Sequence, residues 1–192
     1  MKAIDPINPI DPINPIDQID PIDPLPDTEL VTGWRTLAHH HAQVPADWRE
    51  QLIKRLAQRP RRIGTWAELA LYGARMCLDE AGEDTLPAGA MLCVASLRGP
   101  VEATRAAMAE RTGRGAPMPF TFLQSQPSQM LAALCQHLHW GGDARFVLSR
   151  DTQALLRLIQ LECGPAGLLL GRVDEGAVPR SEWWRMVPGA AG

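Results

Sequence analysis

The sequence predicts an α/β fold with a mostly parallel sheet and helices on both faces. Short apolar runs alternate with amphipathic stretches between residues 90 and 173, which is the rhythm of parallel βαβ units. One of these runs, Ala90–Ser96, is apolar almost throughout, as expected of a strand that is buried on both faces.

Composition limits the function classes. The chain has 192 residues, of which 45% are hydrophobic and 21% charged, so we expect one domain with a sizeable core. Its net charge of −3 lacks the basic excess that a nucleic-acid partner requires. The cysteines are scattered without a CxxC pair, as is typical of reduced, buried thiols. They are Cys77, Cys93, Cys135 and Cys163. No phosphate loop, metal-ligand spacing or cofactor motif is present, so we predict no metal and no cofactor.

A tripeptide repeat of the form Ile-Asp-Pro or Ile-Asn-Pro fills residues 4–24. Proline fixes φ and removes a hydrogen-bond donor, so we expect extended, polyproline-like coil. We interpret it as a disordered leader; an arm that docks in a partner groove is the alternative.

The predicted organisation is a low-complexity segment over 1–28, one domain over 29–187 and a tail over 188–192. Without a signal peptide or an apolar run of spanning length, we expect a cytoplasmic protein and no membrane partner.

The start of the domain predicts a strand over Glu29–Thr36, bent at Gly33. The three residues His39–His41 follow, and we expect them in a solvated loop. Neighbouring residues on a helix or strand point in different directions, so three successive histidines make a poor metal site.

Two capping boxes predict the next two helices, one at Asp47 with Glu50 and one at Thr65 with Glu68. The second helix carries a stripe of apolar and small residues at helical spacing, and Gly82 ends it. We expect the small residues to allow a close approach to a neighbouring element. The stripe consists of Trp66, Leu69, Ala70, Gly73, Ala74 and Cys77.

A helix is expected over residues 100–112 and ends at Gly113, and residues 119–123 are expected to be extended. Ser125 is expected to cap the following helix, which has Pro127 in its first turn. The apolar face of that helix comprises Met130, Leu131, Leu134, Cys135 and Leu138.

The remaining elements are a strand over residues 145–148, a helix over Thr152–Glu162 and a strand over Gly167–Val173. The helix is nearly all apolar, so we expect it to be central and buried. Ser181–Trp184 is expected to form a short final element.

Five stretches carry a family resemblance: the helix from Trp66 to Gly82, then Ser96–Pro100, Pro119–Gln129, Trp140–Ala144 and Gly171–Glu175. Over residues 30 to 185 the chain resembles the N-terminal half of β-ketoacyl synthases, which have the thiolase-like fold. It is most similar to the divergent synthase-like proteins of aryl-polyene and related pigment pathways. The resemblance implies half of a thiolase-like fold and a place in fatty-acid or polyketide biosynthesis.

In that family the nucleophilic cysteine lies where a strand enters a buried helix, and the helix dipole favours its thiolate. The matching position here is near Asp151, whose carboxylate cannot carry an acyl chain. The family's catalytic histidines lie in its C-terminal half, and this chain ends before that half begins. We interpret Asp151 as the N-cap of the helix. Its carboxylate mimicking a bound group in a pseudo-active site is the alternative.

The resemblance therefore implies a half-length, non-catalytic protein that binds a full-length condensing enzyme, an acyl carrier protein or a second copy of itself. The open sheet edge and the Trp183–Trp184 pair are the expected contact surfaces. The basic residues of Gln58–Arg62 suit either a solvated helix end or an acidic carrier protein. One alternative is an acyl transferase or hydrolase that uses Ser149 with His137 or His139. The other is a remnant of a split gene.

Overall fold

The computed structural model describes residues 33–41 and 43–189, and these form five strands and six helices. The predicted leader, the first part of the predicted strand over 29–36 and the last three residues of the predicted tail lie outside the described residues. In chain order the elements are β1 Trp34–His40, α1 Trp48–Leu56, α2 Thr65–Glu80, β2 Met91–Ser96, α3 Val101–Arg114, α4 Pro119–Gln124, α5 Pro127–His137, β3 Ala144–Leu148, α6 Thr152–Glu162, β4 Leu168–Asp174 and β5 Arg180–Pro188.

The strands form one sheet in the order β1-β5-β4-β2-β3. Strands β3, β2 and β4 are parallel, whereas β5 is antiparallel to both β4 and β1. The α/β class is therefore confirmed, but the sheet is mixed and not mostly parallel. A short turn joins β4 to β5, and a connection of that length produces an antiparallel pair. The predicted short element at Ser181–Trp184 is part of this nine-residue strand.

Helices cover both faces of the sheet, and the alternation of side chains along β2 shows how. Leu92 and Val94 belong to one apolar cluster with α2 and α5. Met91, Cys93 and Ala95 point the other way, into a second cluster with α6. This two-sided burial explains why β2 reads as a continuous apolar run.

Helix α2 is the best predicted element, and its whole stripe is buried. Gly73 lies so close to the sheet that a Cβ there would overlap Ser181 and the indole of Trp183. Trp66 at the start of α2 donates its indole N–H to the carbonyl of Val173 at 3.0 Å. The predicted close approach of α2 to a neighbouring element is confirmed.

Neither predicted capping box forms, although both helices do. Asp47 makes no capping bond, and its carboxylate accepts from the side-chain amide of Gln51 at 3.0 Å instead. Helix α2 begins after Gly64, and Glu68 accepts from Arg49 of α1 at 3.0 Å. Because Gly64 is the N-cap, Thr65 is the first residue of the helix, and Glu68 lies one position beyond the one from which a capping box closes.

The region after α3 differs from its prediction. Helix α3 runs past Gly113 and ends at Gly115, which has a φ of +81°. Residues 119–124 form the helix α4, because the carboxylate of Glu110 accepts from the amide of Met118 at 2.7 Å and fixes its start. Ser125 is the C-cap of α4 and not the predicted N-cap of α5. Gln126 occupies the N-cap position of α5.

The histidines at 39 and 40 belong to strand β1, not to a loop. His39 stacks on Trp184 and contacts Glu182 at 3.0 Å. His40 points the other way and contacts Glu80 at 2.7 Å. Alternation along the strand therefore sends the two rings to different partners, and only His41 is exposed among the three.

Helix α6 is not central, contrary to its prediction. Leu155, Leu156 and Ile159 are buried against the sheet, but Leu158 and Leu161 are 62% and 85% exposed. The helix covers one face of the sheet as an outer layer, so the leucines that do not face the sheet are exposed.

Candidate functional site

The corner between β3 and α6 lies at the carboxyl end of the parallel strands, where open α/β sheets bind their ligands. The amide of Ser149 donates to the carbonyl of Ser96 at 3.0 Å, which ties the corner to the end of β2. Asp151 is the N-cap of α6, and its Oδ1 accepts from the amide of Ala154 at 2.8 Å. The predicted cap at Asp151 is therefore present, and it occupies the positive end of the helix.

The structure does not bring Ser149 together with the two histidines. The Ser149 hydroxyl donates to the carbonyl of Asp151 at 2.9 Å, within the corner itself. His137 ends α5 and His139 follows it, so both lie before β3, whereas Ser149 lies after it. The five-residue strand β3, about 17 Å long, therefore runs between the histidines and Ser149 in the chain. Burial, and then the neighbouring His139, lower the pKa of His137.

All four cysteines of the chain are held as thiols. Burial raises the pKa of Cys77 and Cys93 to about 12 and that of Cys163 to about 11, and it also raises the pKa of Cys135. Cys163 ends α6 at the opposite end from the corner. A nucleophilic cysteine needs a lowered pKa, and none of these has one.

A second polar cluster, which was not among the predicted site residues, joins the ends of β2 and β4. Asp174 accepts from the Ser96 hydroxyl and from the amide of Leu97, both at 2.8 Å. Glu175 accepts from the amide of Glu102 at 2.7 Å, at the start of α3. Burial raises the pKa of Glu175, and the nearby Glu102 carboxylate adds to this while backbone amides oppose it. Polar residues that directly follow buried strands are the signal that predicts such a cluster.

These bonds show what the acidic side chains at this end of the sheet do. The carboxylates of Asp151, Asp174 and Glu175 accept backbone amides and hold three loop ends in place, which is a structural use of acidic groups. Within residues 33–41 and 43–189, no group of three or more His, Cys, Asp or Glu side chains is arranged to hold a metal ion. None of the helices in this range is both long and apolar enough to span a bilayer.

Similar architecture is found among solved structures. A chain in the complex of the ketosynthase ApeO with its chain length factor ApeC, from Xenorhabdus doucetiae, superposes with a TM-score of 0.59 at 13% identity. The match covers 83% of this chain and 80% of that one, so the two are of comparable length. The fold is ketosynthase-like. This agrees with the thiolase-like fold that the sequence resemblance implies.

The ishigamide ketosynthase/chain length factor gives a second match, with a TM-score of 0.55 at 12% identity. It covers 72% of this chain but 48% of that one, so the matched region spans about half the length of that neighbour. No protein-family model matches the sequence, and no curated protein matches it. The likeness therefore lies in the fold.

Proposed function

We propose that this chain is a non-catalytic partner of a ketosynthase-like condensing enzyme, in a pathway of the fatty-acid or polyketide type. The observation that carries the proposal is Asp151. It occupies the strand-to-helix corner where the family resemblance places the nucleophilic cysteine, and its carboxylate already holds the first turn of α6. A carboxylate cannot form the thioester on which condensation depends, and the four thiols have raised pKa values.

A partner role also suits the exposed surface around β3. This strand ends the sheet order, so its outer edge has no neighbour among the described strands. Leu148 ends β3, and Leu158 and Leu161 lie on α6, whose Glu162 pairs with Arg145 of β3; the three leucines are 62%, 62% and 85% exposed. We call this the β3 edge surface. Unpaired backbone groups beside apolar side chains favour the addition of a strand from another protein.

The Trp183–Trp184 pair is not part of such a surface. Both side chains are buried, at 0% and 3% exposure, because Trp183 packs into the apolar cluster with α2 on one face of the sheet and Trp184 into the cluster with α6 on the other. The expectation of an exposed tryptophan pair is therefore wrong, and the β3 edge surface is the stronger candidate of the two.

The ketosynthase partnership is tested by co-expressing the tagged full chain with an aryl-polyene-type ketosynthase and analysing the purified mixture by size-exclusion chromatography with light scattering. We expect a complex of the two chains. The double variant Leu158→Lys/Leu161→Lys is expected to lose it while keeping the helical circular dichroism signal. Gln153→Lys, a change at another exposed position of the same helix, is the matched control. A complex that tolerates both leucine changes would place the contact elsewhere, and no complex at all would refute the partnership.

The absence of condensation chemistry is tested separately, by intact-mass analysis after incubation with an acyl carrier protein loaded with a short acyl chain. We expect no mass increase on the protein. An acyl adduct on Ser149 or on any cysteine would overturn the non-catalytic assignment and revive the acyl-transferase alternative.

The same preparations distinguish two other partners, an acyl carrier protein and a second copy of this chain. The exposed side chains of Arg59 and Arg61 lie in the loop after α1, and they would suit an acidic carrier protein. A carrier complex should dissociate when salt is raised, since exposed charges are screened. A homodimer through the β3 edge surface would be seen as doubled mass for the chain alone.

A further inference from the structure

A cavity of about 220 Å³ lies between the start of α2, the loop before it, α4 and the start of α5. Its floor consists of Trp66, Ala67 and Met130, which are 2%, 6% and 1% exposed. Its rim includes Phe120 and Leu123, which are 52% and 41% exposed. The floor belongs to the cluster that α2 and α5 form, whereas α6 covers the opposite face of the sheet. The cavity is therefore distinct from the corner at Asp151.

The polar groups of the cavity suit an anion. Arg62 lines it, and its guanidinium carbon lies 5.5 Å from the centre of the Phe120 ring. Gln124 and Gln129 also line it, and neither side-chain amide makes a hydrogen bond within the described residues. The lining contains no aspartate or glutamate. An incoming carboxylate would thus meet one cation and two free amide groups, with no like charge on the lining.

The backbone conformation of Arg62 is a second observation that supports ligand binding in this cavity. Its φ is +64°, in the left-handed region that residues with a Cβ seldom adopt. Two other residues with a Cβ share this feature in the described chain, Ala57 and His139. Ala57 caps the C-terminus of α1, where the left-handed conformation is common. Arg62 caps no helix, and strain of this kind clusters at ligand-binding positions.

We propose that this cavity binds a medium-chain carboxylate, with the carboxylate at Arg62 and the hydrocarbon chain over Trp66 and Met130. The size of the chain follows from the volume. The cavity is smaller than the roughly 300–1,000 Å³ of pockets that hold drug-sized ligands, so it suits a single unbranched chain. The aromatic rim and buried apolar floor supply the hydrophobic part of the binding. The proposal is independent of any ketosynthase partner.

Isothermal titration calorimetry of the full chain with sodium octanoate tests the proposal. We expect saturable binding of one octanoate per chain with a millimolar or tighter dissociation constant. Octanol has the same chain without the charge, and it should bind about tenfold more weakly, since a charge-assisted bond contributes about 1.5 kcal/mol. Acetate, which has the charge without the chain, should not bind. Equal binding of octanoate and octanol, or no saturable binding of octanoate, would overturn the proposal.

Variants locate the site. Arg62→Gln should weaken octanoate binding about tenfold, whereas Arg61→Gln, an exposed arginine beside it that does not line the cavity, should not change it. Ala67→Leu fills the floor and should abolish binding, with folding checked by circular dichroism. Phe120→Ala, on the exposed rim, provides a second change that does not disturb the core, and it should weaken binding. Octanoate binding that survives Ala67→Leu in a folded protein would refute this location.

Discussion

The carboxylate of Asp151 accepts the amide of Ala154 and so satisfies one of the free donors at the start of α6. We expect Asp151→Ala to lower the free energy of unfolding by about 1 kcal/mol, the usual cost of losing an N-cap. Asp151→Asn should retain most of that stability, since its amide oxygen can accept the same bond. Urea denaturation of the three proteins measures the difference. Equal stability of the alanine variant and the parent would show that this cap contributes nothing.

The cysteines give a second prediction at the scale of single residues. With a pKa of about 12, Cys77 and Cys93 are thiolates in about one molecule in ten thousand at pH 8. Iodoacetamide reacts with the thiolate, so native protein should be labelled slowly at both positions and rapidly in urea. The half-buried Cys135 should react before them. Mass spectrometry of timed digests measures each site, and rapid native labelling of Cys77 or Cys93 would contradict the burial assigned to them.

Helix periodicity explains what could be predicted at the scale of elements. The buried stripe of α2 could be predicted correctly because its members recur at helical spacing and are all buried. Strand β5 could not be predicted in full because Arg185 interrupts its apolar run. That side chain is 1% exposed and bonds to the carboxylate of Glu83 at 2.6 and 3.0 Å. A buried charge of this kind depends on a partner 102 residues away, which local pattern does not reveal.

The candidate site was predicted in part. Asp151 was identified because an N-cap depends only on neighbouring residues, and its bond to Ala154 spans three positions. The cluster around Asp174 was missed because its bond to Ser96 joins the ends of two strands that are 78 residues apart. The exposure of Leu158 and Leu161 was also missed, since an apolar helix gives no indication of whether one or two of its sides are covered.

A pair of helical glycines tests the packing of α2. Gly73 faces Ser181 and Trp183 so closely that an added Cβ would overlap them. Gly73→Ala should therefore destabilise the protein by about 1–3 kcal/mol through overpacking. Gly113, in α3, has nothing within 4 Å of the same added atom. Gly113→Ala should stabilise the protein by about 0.5–1 kcal/mol, because alanine loses less backbone entropy.

Thermal unfolding of the two glycine variants measures the contrast directly. Both substitutions make the same chemical change within a helix. Opposite changes in stability would therefore come from the surroundings of each glycine. A Gly73→Ala protein as stable as the parent would mean that α2 does not lie against Trp183 as closely as the structure places it.

At the scale of the whole molecule, charged side chains connect the helical layer to the sheet. Asp79 of α2 accepts from Arg55 of α1 at 2.6 and 2.7 Å and from Arg75 at 2.8 and 3.0 Å. Arg75 also donates to the carbonyl of Glu83 at 2.8 Å, and the carboxylate of Glu83 pairs with Arg185 of β5. The network thus extends from the outermost helix α1 to a central strand, and Asp79 is where two arginines meet.

This network predicts how stability depends on pH. Burial pushes the pKa of Asp79 upward, but the bonds from Arg55 and Arg75 outweigh it, so the net pKa lies below the ordinary value of 3.8. A carboxyl with a lowered folded pKa stabilises the protein above its unfolded pKa, and that contribution is lost as the pH falls through the folded pKa. Because Asp79 is partly exposed, we expect a contribution of only about 1 kcal/mol.

The test compares Asp79→Asn with the parent by urea denaturation at pH 7 and at steps down through pH 4 to pH 2.5. The variant should be less stable at pH 7, and the difference should shrink as the parent's own carboxyl becomes protonated in the acid range. Asp47→Asn, which removes a carboxylate whose side-chain bond is to neutral Gln51, is the control for losing a carboxylate that has no arginine partner. A difference between Asp79→Asn and the parent that persists at pH 2.5 would mean that Asp79 acts through packing. Its charge would then not be what joins α1 and α2.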